Sequence, residues 1–327
     1  MTKTTSADIK KASAILREGG LVAFPTETVY GLGGDARNVL AVKNIFDIKS
    51  RPYNHPLIIH FANLSQLDEW VLDLPRRALQ LAKAFWPGPL TLILKKAPGV
   101  IPEVTGGQTT IGVRVPSHPV AQALLTEFAS GIAAPSANRF TRISATTTEA
   151  VFEELGERVN LILEGGRCDV GVESTILDMS EESPTFLRPG AITKSMIESV
   201  LGEKISMSSP AGTTVRTSGM HALHYAPTTE TVMLTRDRLL DYVDGLEVKA
   251  EAPIALMTRS LLRSSLSALH CQIAMPQDAP TYARLLYQTM RELDRRGFKK
   301  IVIEAVPEEM AWDAIRDRLT KACGVRS

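Results

Sequence analysis

Residues 206–217, SMSSPAGTTVRT, hold almost nothing that a folded core could bury, and they interrupt a chain otherwise dense in apolar segments. So small and polar a stretch reads as a linker, because burial cannot offset the entropy lost on ordering it. Whatever flanks it must therefore build its own core, and 327 residues leave room for two domains. The expected division is a first domain over 1–202, a linker over 203–227 and a second domain over 228–327.

The two sides differ in rhythm. Before the linker, Ser6 is a plausible N-cap for an amphipathic helix over 7–18 that Gly19 and Gly20 stop. Short β-prone runs follow at 21–24, 57–61, 90–94, 110–115, 161–163, 175–178 and 185–187. Helical patterns lie at 39–48, 64–71, 76–85, 120–128, 148–155 and 193–201. Because several strands follow one another directly, this is a mixed α/β sheet and not a strict βαβ repeat. After the linker the alternation becomes regular: strands at 231–234, 254–257, 271–275 and 300–304, helices at 237–243, 261–269, 282–296 and 309–321. That rhythm predicts a small, parallel, doubly wound, Rossmann-like domain.

Charge narrows the function classes. The chain carries 37 Lys and Arg against 36 Asp and Glu, and the split at Gly202 is even, 20 against 21 and then 17 against 15. Neither part is a basic module, which disfavours stable binding to tRNA or other nucleic acid. Apolar runs such as 56–59 and 90–94 are far shorter than the roughly 20 residues of a membrane-spanning helix. The polar residues 1–11 lack the apolar heart of a signal peptide. Cys168, Cys271 and Cys323 are widely spaced, so the expectation is a cytoplasmic, reduced protein without a disulfide frame or thiolate zinc site.

Several polar clusters could carry chemistry. FPTETVYGLGG (24–34) sits where a strand ends; its glycines would let backbone N–H groups approach an anion, and Thr26 and Thr28 offer hydroxyls, although a plain glycine turn closing the strand fits as well. No Walker A loop occurs. KSRP (49–52) puts Lys49 and Arg51 on one proline-held loop, suited to polyphosphate or to an ordinary solvated helix end. His55 and His60 follow. Arg114 interrupts an apolar strand, where an inward guanidinium needs a carboxylate or phosphate. APSAN (134–138) presents Ser136 and Asn138 beside the small Ala134. Ser174, Arg188 and the pair His221 and His224 complete the set, the histidines lacking a third ligand for a metal.

Taken in order, PTETVYGLG, K-x-R-P with PLIIH, WPGPLT, VRVPSHP, APSAN, STILD, LRPG and HYAP resemble the Sua5/YrdC family, the L-threonylcarbamoyladenylate synthases, over about residues 8–202 and through the linker. YARLLYQTMRELDRRG (282–297) and AIRDRL (314–319) extend the resemblance into a Sua5-type C-terminal domain. The resemblance implies a YrdC-like catalytic domain that joins L-threonine, bicarbonate or carbon dioxide and ATP with Mg2+ into threonylcarbamoyl-AMP and pyrophosphate. A separate transferase complex would pass the threonylcarbamoyl group to adenosine 37 of tRNA. It further implies Lys49 and Arg51 as catalytic cations. Lys49, Arg51, Ser136, Asn138, Ser144 and Arg188 would form the ATP side with Thr110 and His55 near it, and Tyr225 of HYAP on the nucleotide. Thr28, His60, Arg114, Ala134 and Ser174 would form the threonine side, and the linker would close as a lid. No protein side chain is expected to ligate the metal. His55 replaces the family's usual Asn, residues 139–146 replace its Ser-Gly and Ser-Pro-Thr, Thr217-Ser-Gly219 replaces S-P-G, and Glu309-Met-Ala311 replaces Gly-Leu-Gly. Two rival readings are an RNA-binding or ribosome-maturation module, disfavoured by the charge balance, and another carbamoyl-adenylate-using enzyme on the same domain, which would typically carry additional zinc-binding or acylphosphatase segments.

Overall fold

In the computed structural model, residues 4–207, 215–217, 219, 223–248, 253–260 and 270–324 are described. They form two compact units, one of Met1–Phe140 with Ser144–Met220, the other of Thr141–Ile143 with His221–Ser327.

The first unit is built on a ten-stranded mixed sheet. Its strands in chain order are β1 (Val22–Phe24), β2 (Gly31–Asp35), β3 (Ile58–His60), β4 (Leu90–Lys95), β5 (Thr110–Arg114), β6 (Ile132–Ala133), β7 (Leu161–Ile162), β8 (Thr175–Asp178), β9 (Thr185–Arg188) and β10 (Ser206–Met207). Across the sheet they run β10-β9-β8-β4-β5-β3-β6-β2-β1-β7. Side chains alternate between faces, so Leu21 and Ala23 enter one apolar cluster and Val22 and Phe24 the other. The second cluster takes Ile9, Ala12 and Leu16 from helix Ser6–Arg17, started by a Thr5/Asp8 capping box, and Leu124 and Leu125 from helix Pro119–Phe128. Helix Val39–Lys49 begins at an Asn38 cap and ends at Ser50 in the left-handed region, φ 53°.

The second unit carries a separate parallel sheet of β11 (Glu230–Leu234), β12 (Ile254–Thr258), β13 (Cys271–Ala274) and β14 (Lys300–Glu304), ordered β11-β14-β12-β13. Leu239 and Val243 of helix Arg236–Val248 pack on Leu256 and Val302. Thr141–Ile143 is tied in by Ala226 N–H to the Thr141 carbonyl (2.9 Å), Arg291 to the Ile143 carbonyl (2.8 Å) and an Arg142–Asp294 pair (3.1 Å). Thr141 and Tyr225 both sit at positive φ, 66° and 60°. For the β-branched Thr141 that is an uncommon conformation, stabilised only by such contacts.

Some expectations need correction. Residues 64–71 are not a helix: a 3-10 turn spans Leu64–Gln66, and Val71 bridges to Lys96. Asn63 takes the Ser65 N–H (3.0 Å) and hydroxyl (2.6 Å), and Leu67, Trp70 and Val71 are buried without a helical face. The glycines of GLGG are neither an anion loop nor a turn but strand β2, antiparallel to β1. A Cβ on Gly33 would come within 2.7 Å of the Phe24 ring, and one on Gly34 within 2.9 Å of Leu21, so their smallness serves packing. Ser206–Met207 is strand β10 beside β9, although it falls at the start of the low-apolar stretch. The expected helix over 309–321 starts as a 3-10 turn, Met310–Trp312, before helix Asp313–Cys323. The helix expected over 261–269 lies outside the described residues.

Candidate functional site

The polar side chains singled out from the sequence gather along the first unit's sheet at two places. The first is the end of helix Val39–Lys49. Lys49, 1% exposed, donates from Nζ to the carbonyls of Ser136 (2.5 Å) and Asn138. Its own carbonyl accepts the Phe140 N–H at 2.8 Å, so the helix end and the APSAN loop after β6 are stitched together. Burial, with a smaller push from Arg51, holds the Lys49 ammonium pKa well below its usual value. Arg51 is also buried, donates to the Pro56 carbonyl (3.0 Å) and lies 5.8 Å from the Phe140 ring centre. His55 meets that same ring edge-on at 5.4 Å. The loop is closed by Asn138 N–H to the Ser136 carbonyl (3.0 Å). Ala134 donates to the Ile58 carbonyl (3.0 Å) and carries only a methyl, which keeps this wall low. Thr110 opens β5 at the same end of the sheet.

The second place lies where β3 and β5 end side by side, with His60 opposite Arg114. Arg114 is buried and uses its whole fork: Nη2 to Glu27 Oε1 (2.6 Å), Nη1 to the Thr28 hydroxyl (2.9 Å) and Nε to the Gly88 carbonyl (3.3 Å). Glu27 Oε2 accepts the Ser117 N–H at 3.0 Å, so both carboxylate oxygens are held. His60 is 4% exposed, and burial with the Arg114 charge lowers its pKa to about 3, leaving the ring neutral at physiological pH. Ser174, just before β8, exchanges a hydrogen bond with Thr91 (2.8 Å) and receives Arg188 on its carbonyl (3.0 Å) and hydroxyl (3.1 Å). Ser144 donates to Glu173 Oε1 at 2.5 Å. Arg188 and Ser144, expected on the nucleotide side, are thus bonded to the Glu173-Ser174 strand entry.

The linker residues that are described also meet this unit. Arg216 exchanges backbone bonds with the Gln108 amide (2.7 and 3.0 Å) and donates to the Gly106 carbonyl (2.8 Å). Arg216 and Thr217 line, with Pro56, Ile58, Ile93 and Thr110, a narrow cleft whose free volume is only about 10 Å³. Tyr225 belongs to the second unit, where its ring stacks on Tyr287 (5.8 Å) under the Arg318 guanidinium (5.3 Å). Among the described residues there is no cluster of three or more His, Cys, Asp or Glu disposed to hold a metal.

Glu27, Thr91 and Glu173 escaped the sequence reading, the first two inside motifs already singled out and Glu173 immediately before STILD. The signal for Glu27 was the demand of an inward arginine for a carboxylate, which the chain supplies from 87 residues earlier.

Against known families, residues 14–190 match the model described as "Telomere recombination", of Sua5, YciO and YrdC, and residues 192–324 match "Threonylcarbamoyl-AMP synthase, C-terminal domain". The chain belongs to the Sua5/YrdC family. This family member is 39% identical to a protein of Pyrococcus abyssi over 97% of its own length and 94% of the relative's, and 38% identical to one of Bacillus subtilis over 99% and 95%. Both relatives are named threonylcarbamoyl-AMP synthase. The crystal structure of P. abyssi Sua5 complexed with L-threonine superposes with a TM-score of 0.90 at 38% identity, covering 99% of this chain and 96% of that one. In this Sua5/YrdC chain strands β1–β9 fall in the first matched segment, and β10 with the parallel four-stranded sheet in the second.

Proposed function

We propose that this chain joins L-threonine, bicarbonate or carbon dioxide, and MgATP into L-threonylcarbamoyladenylate and pyrophosphate. The adenylate would pass to a transferase complex that makes N6-threonylcarbamoyladenosine at position 37 of tRNA, in the cytoplasm where ATP and tRNA are found. Lys49 carries the reading: a fully buried ammonium whose bonding partners are two carbonyl dipoles is ready for a polyanion, and the chain has no Walker A loop to hold one otherwise.

In this reading threonine and bicarbonate first form N-carboxythreonine. Its carbamate oxygen, already an anion, attacks the α-phosphorus of ATP and expels pyrophosphate, so no covalent enzyme nucleophile is required. Lys49 and Arg51 stabilise charge on the phosphates, where preorganised cations in a dry site act most strongly. Magnesium arrives as part of the substrate. Ser136, Asn138, Thr110 and His55 would shape the nucleotide wall, with Ser144 and Arg188 reaching it through the Glu173-Ser174 strand entry. Thr28, His60, Arg114, Ala134 and Ser174 would enclose threonine. Arg114 would share its fork between Glu27 and the substrate carboxylate. Residues 203–227 would act as a lid, a reading supported by the Arg216–Gln108 bonds over the start of β5.

Purified protein given ATP, magnesium, bicarbonate and L-threonine should release pyrophosphate and yield the threonylcarbamoyl-adenylate mass, with both threonine and bicarbonate required. Release with ATP alone, or with carbamoyl phosphate replacing both, overturns the assignment.

A further inference from the structure

The second unit holds a group of side chains that adenylate synthesis does not use. β14 is last in the chain yet lies between β11 and β12, so the chain doubles back there. Open parallel sheets bind ligands at the carboxyl ends of strands beside such a reversal. Glu304 closes β14 at 3% exposure, and its Oε2 accepts the Arg259 N–H (2.8 Å) and Arg236 Nη1 (3.3 Å). Arg259 follows β12 directly, and its guanidinium lies 5.7 Å over the Trp312 ring, which Tyr282 braces edge-on at 5.4 Å. Among the described residues that guanidinium makes no hydrogen bond and no ion pair, and its Nε is buried without a partner. Arg236 opens the helix after β11, and its side chain is 39% exposed.

The buried Nε–H of Arg259 is costly while it has no acceptor, and the half-buried guanidinium keeps its outer donors for an anion that arrives. Here its plane is set in advance by Trp312, so little order is lost on binding. Arg236 and Arg259 stand against Glu304 at these strand ends, and the amides opening helix Arg236–Val248, whose first turn also carries the exposed Asp237, add positive potential. Burial, then the nearby Glu304 carboxylate, raises the Tyr282 phenol, which stays a neutral donor. Thr258 is already engaged, accepting from Gln272 at 2.7 Å, and does not compete.

We propose that the crevice at the carboxyl ends of β11, β12 and β14 binds a phosphate group, with Arg259 as the fork and Arg236 as the second cation. The group is either free, as phosphate or pyrophosphate, or esterified, as in a mononucleotide. The test uses the full chain labelled with 5-fluorotryptophan, its Trp312 fluorine signal identified by Trp312→Phe. Inorganic phosphate, pyrophosphate, AMP and acetate are titrated in turn, and the series is repeated in Arg51→Ala to separate ligands held by the first unit. The Trp312 signal should shift saturably with at least one phosphate-bearing probe and not with acetate. Pyrophosphate against AMP tells a free group from an esterified one. Arg259→Gln should weaken that binding by about tenfold or more, and Arg236→Gln by less, with pyrophosphate release at the first unit unchanged. Arg259→Lys keeps the charge without the fork and should weaken it too, which guards against poor folding of the first variant. A Trp312 signal unmoved by every phosphate probe, moved equally by acetate, or moved with wild-type affinity in folded Arg259→Gln or Arg259→Lys overturns the proposal.

Discussion

The two ends of the first unit's polar site treat a buried cation in opposite ways. At the helix end, Lys49 meets carbonyl oxygens, and no carboxylate among the described residues bonds to it. At the strand ends, Arg114 is already matched by Glu27 at 2.6 Å. A buried cation supported only by dipoles is destabilising until an anion comes, whereas one paired with a buried carboxylate is already compensated in the empty protein. The difference fits the proposed reaction, in which a highly charged polyphosphate would bind at one end and a singly charged carboxylate at the other.

The largest expected effect lies at the first end. Lys49→Ala or Arg51→Ala should lower turnover by roughly 10²-fold or more, measured as pyrophosphate release, with circular dichroism unchanged. Near wild-type rates in either would reduce the pair to a helix end. The Lys49 charge should also be visible without substrate. Its folded pKa lies below the ordinary 10.5, so between the two values the unfolded state holds more protons and stability rises with pH. Urea titrations should show that rise in wild type and lose it in Lys49→Met.

The other end should answer with stability before activity. Glu27→Gln leaves Arg114 buried with its carboxylate partner gone, a loss of about 3 kcal/mol. Saturating L-threonine should return part of it, because the substrate carboxylate takes the vacated place. A deficit untouched by threonine in thermal melts would mean that Arg114 does not receive the amino acid.

Smaller still is discrimination at the side chain of the amino acid. Serine lacks one methyl and should be used less well by roughly 1–3 kcal/mol in kcat/KM. Equal kcat/KM would show that the Thr28 and His60 wall does not sense the methyl. The smallest effect is a silence: with its pKa lowered to about 3, His60 should show no titration near 6.5 in nitrogen-15 NMR spectra. Its contribution to stability is complete above 6.5 and falls as the pH drops toward 3, since the unfolded ring takes up its proton first. An imidazole shift at pH 6 to 7 would place His60 in a wetter site than the structure does.

The low-apolar stretch, the irregular strands before it and the regular alternation after it were enough to foresee a mixed sheet and a separate parallel one, since apolar periodicity is a local property of the chain. The ordered motifs likewise carried the family. Local pattern failed where a neighbour distant in sequence decided the outcome. GLGG reads as a turn but is strand β2, because Phe24, Ile132 and Leu21 crowd in where a Cβ would sit. Residues 64–71 have helical spacing, yet Asn63 caps a single turn, and Leu67 and Trp70 are buried by residues distant in the chain.

The same division runs through the site. The sequence by itself determined which residue types were available and in what order: cations at 49, 51, 114 and 188, small residues around 134–138, and few large apolar residues at 206–217. Only the tertiary structure decided the partners. It matched Arg114 to Glu27, left Lys49 on two carbonyls, joined Arg188 to Ser174, and set Arg259 over Trp312 without an acceptor among the described residues. The reason is physical: whether a charge is neutralised, desolvated or waiting depends on what lies within about 4 Å of it. At these positions those neighbours come from strands and loops that only the folded sheets bring together.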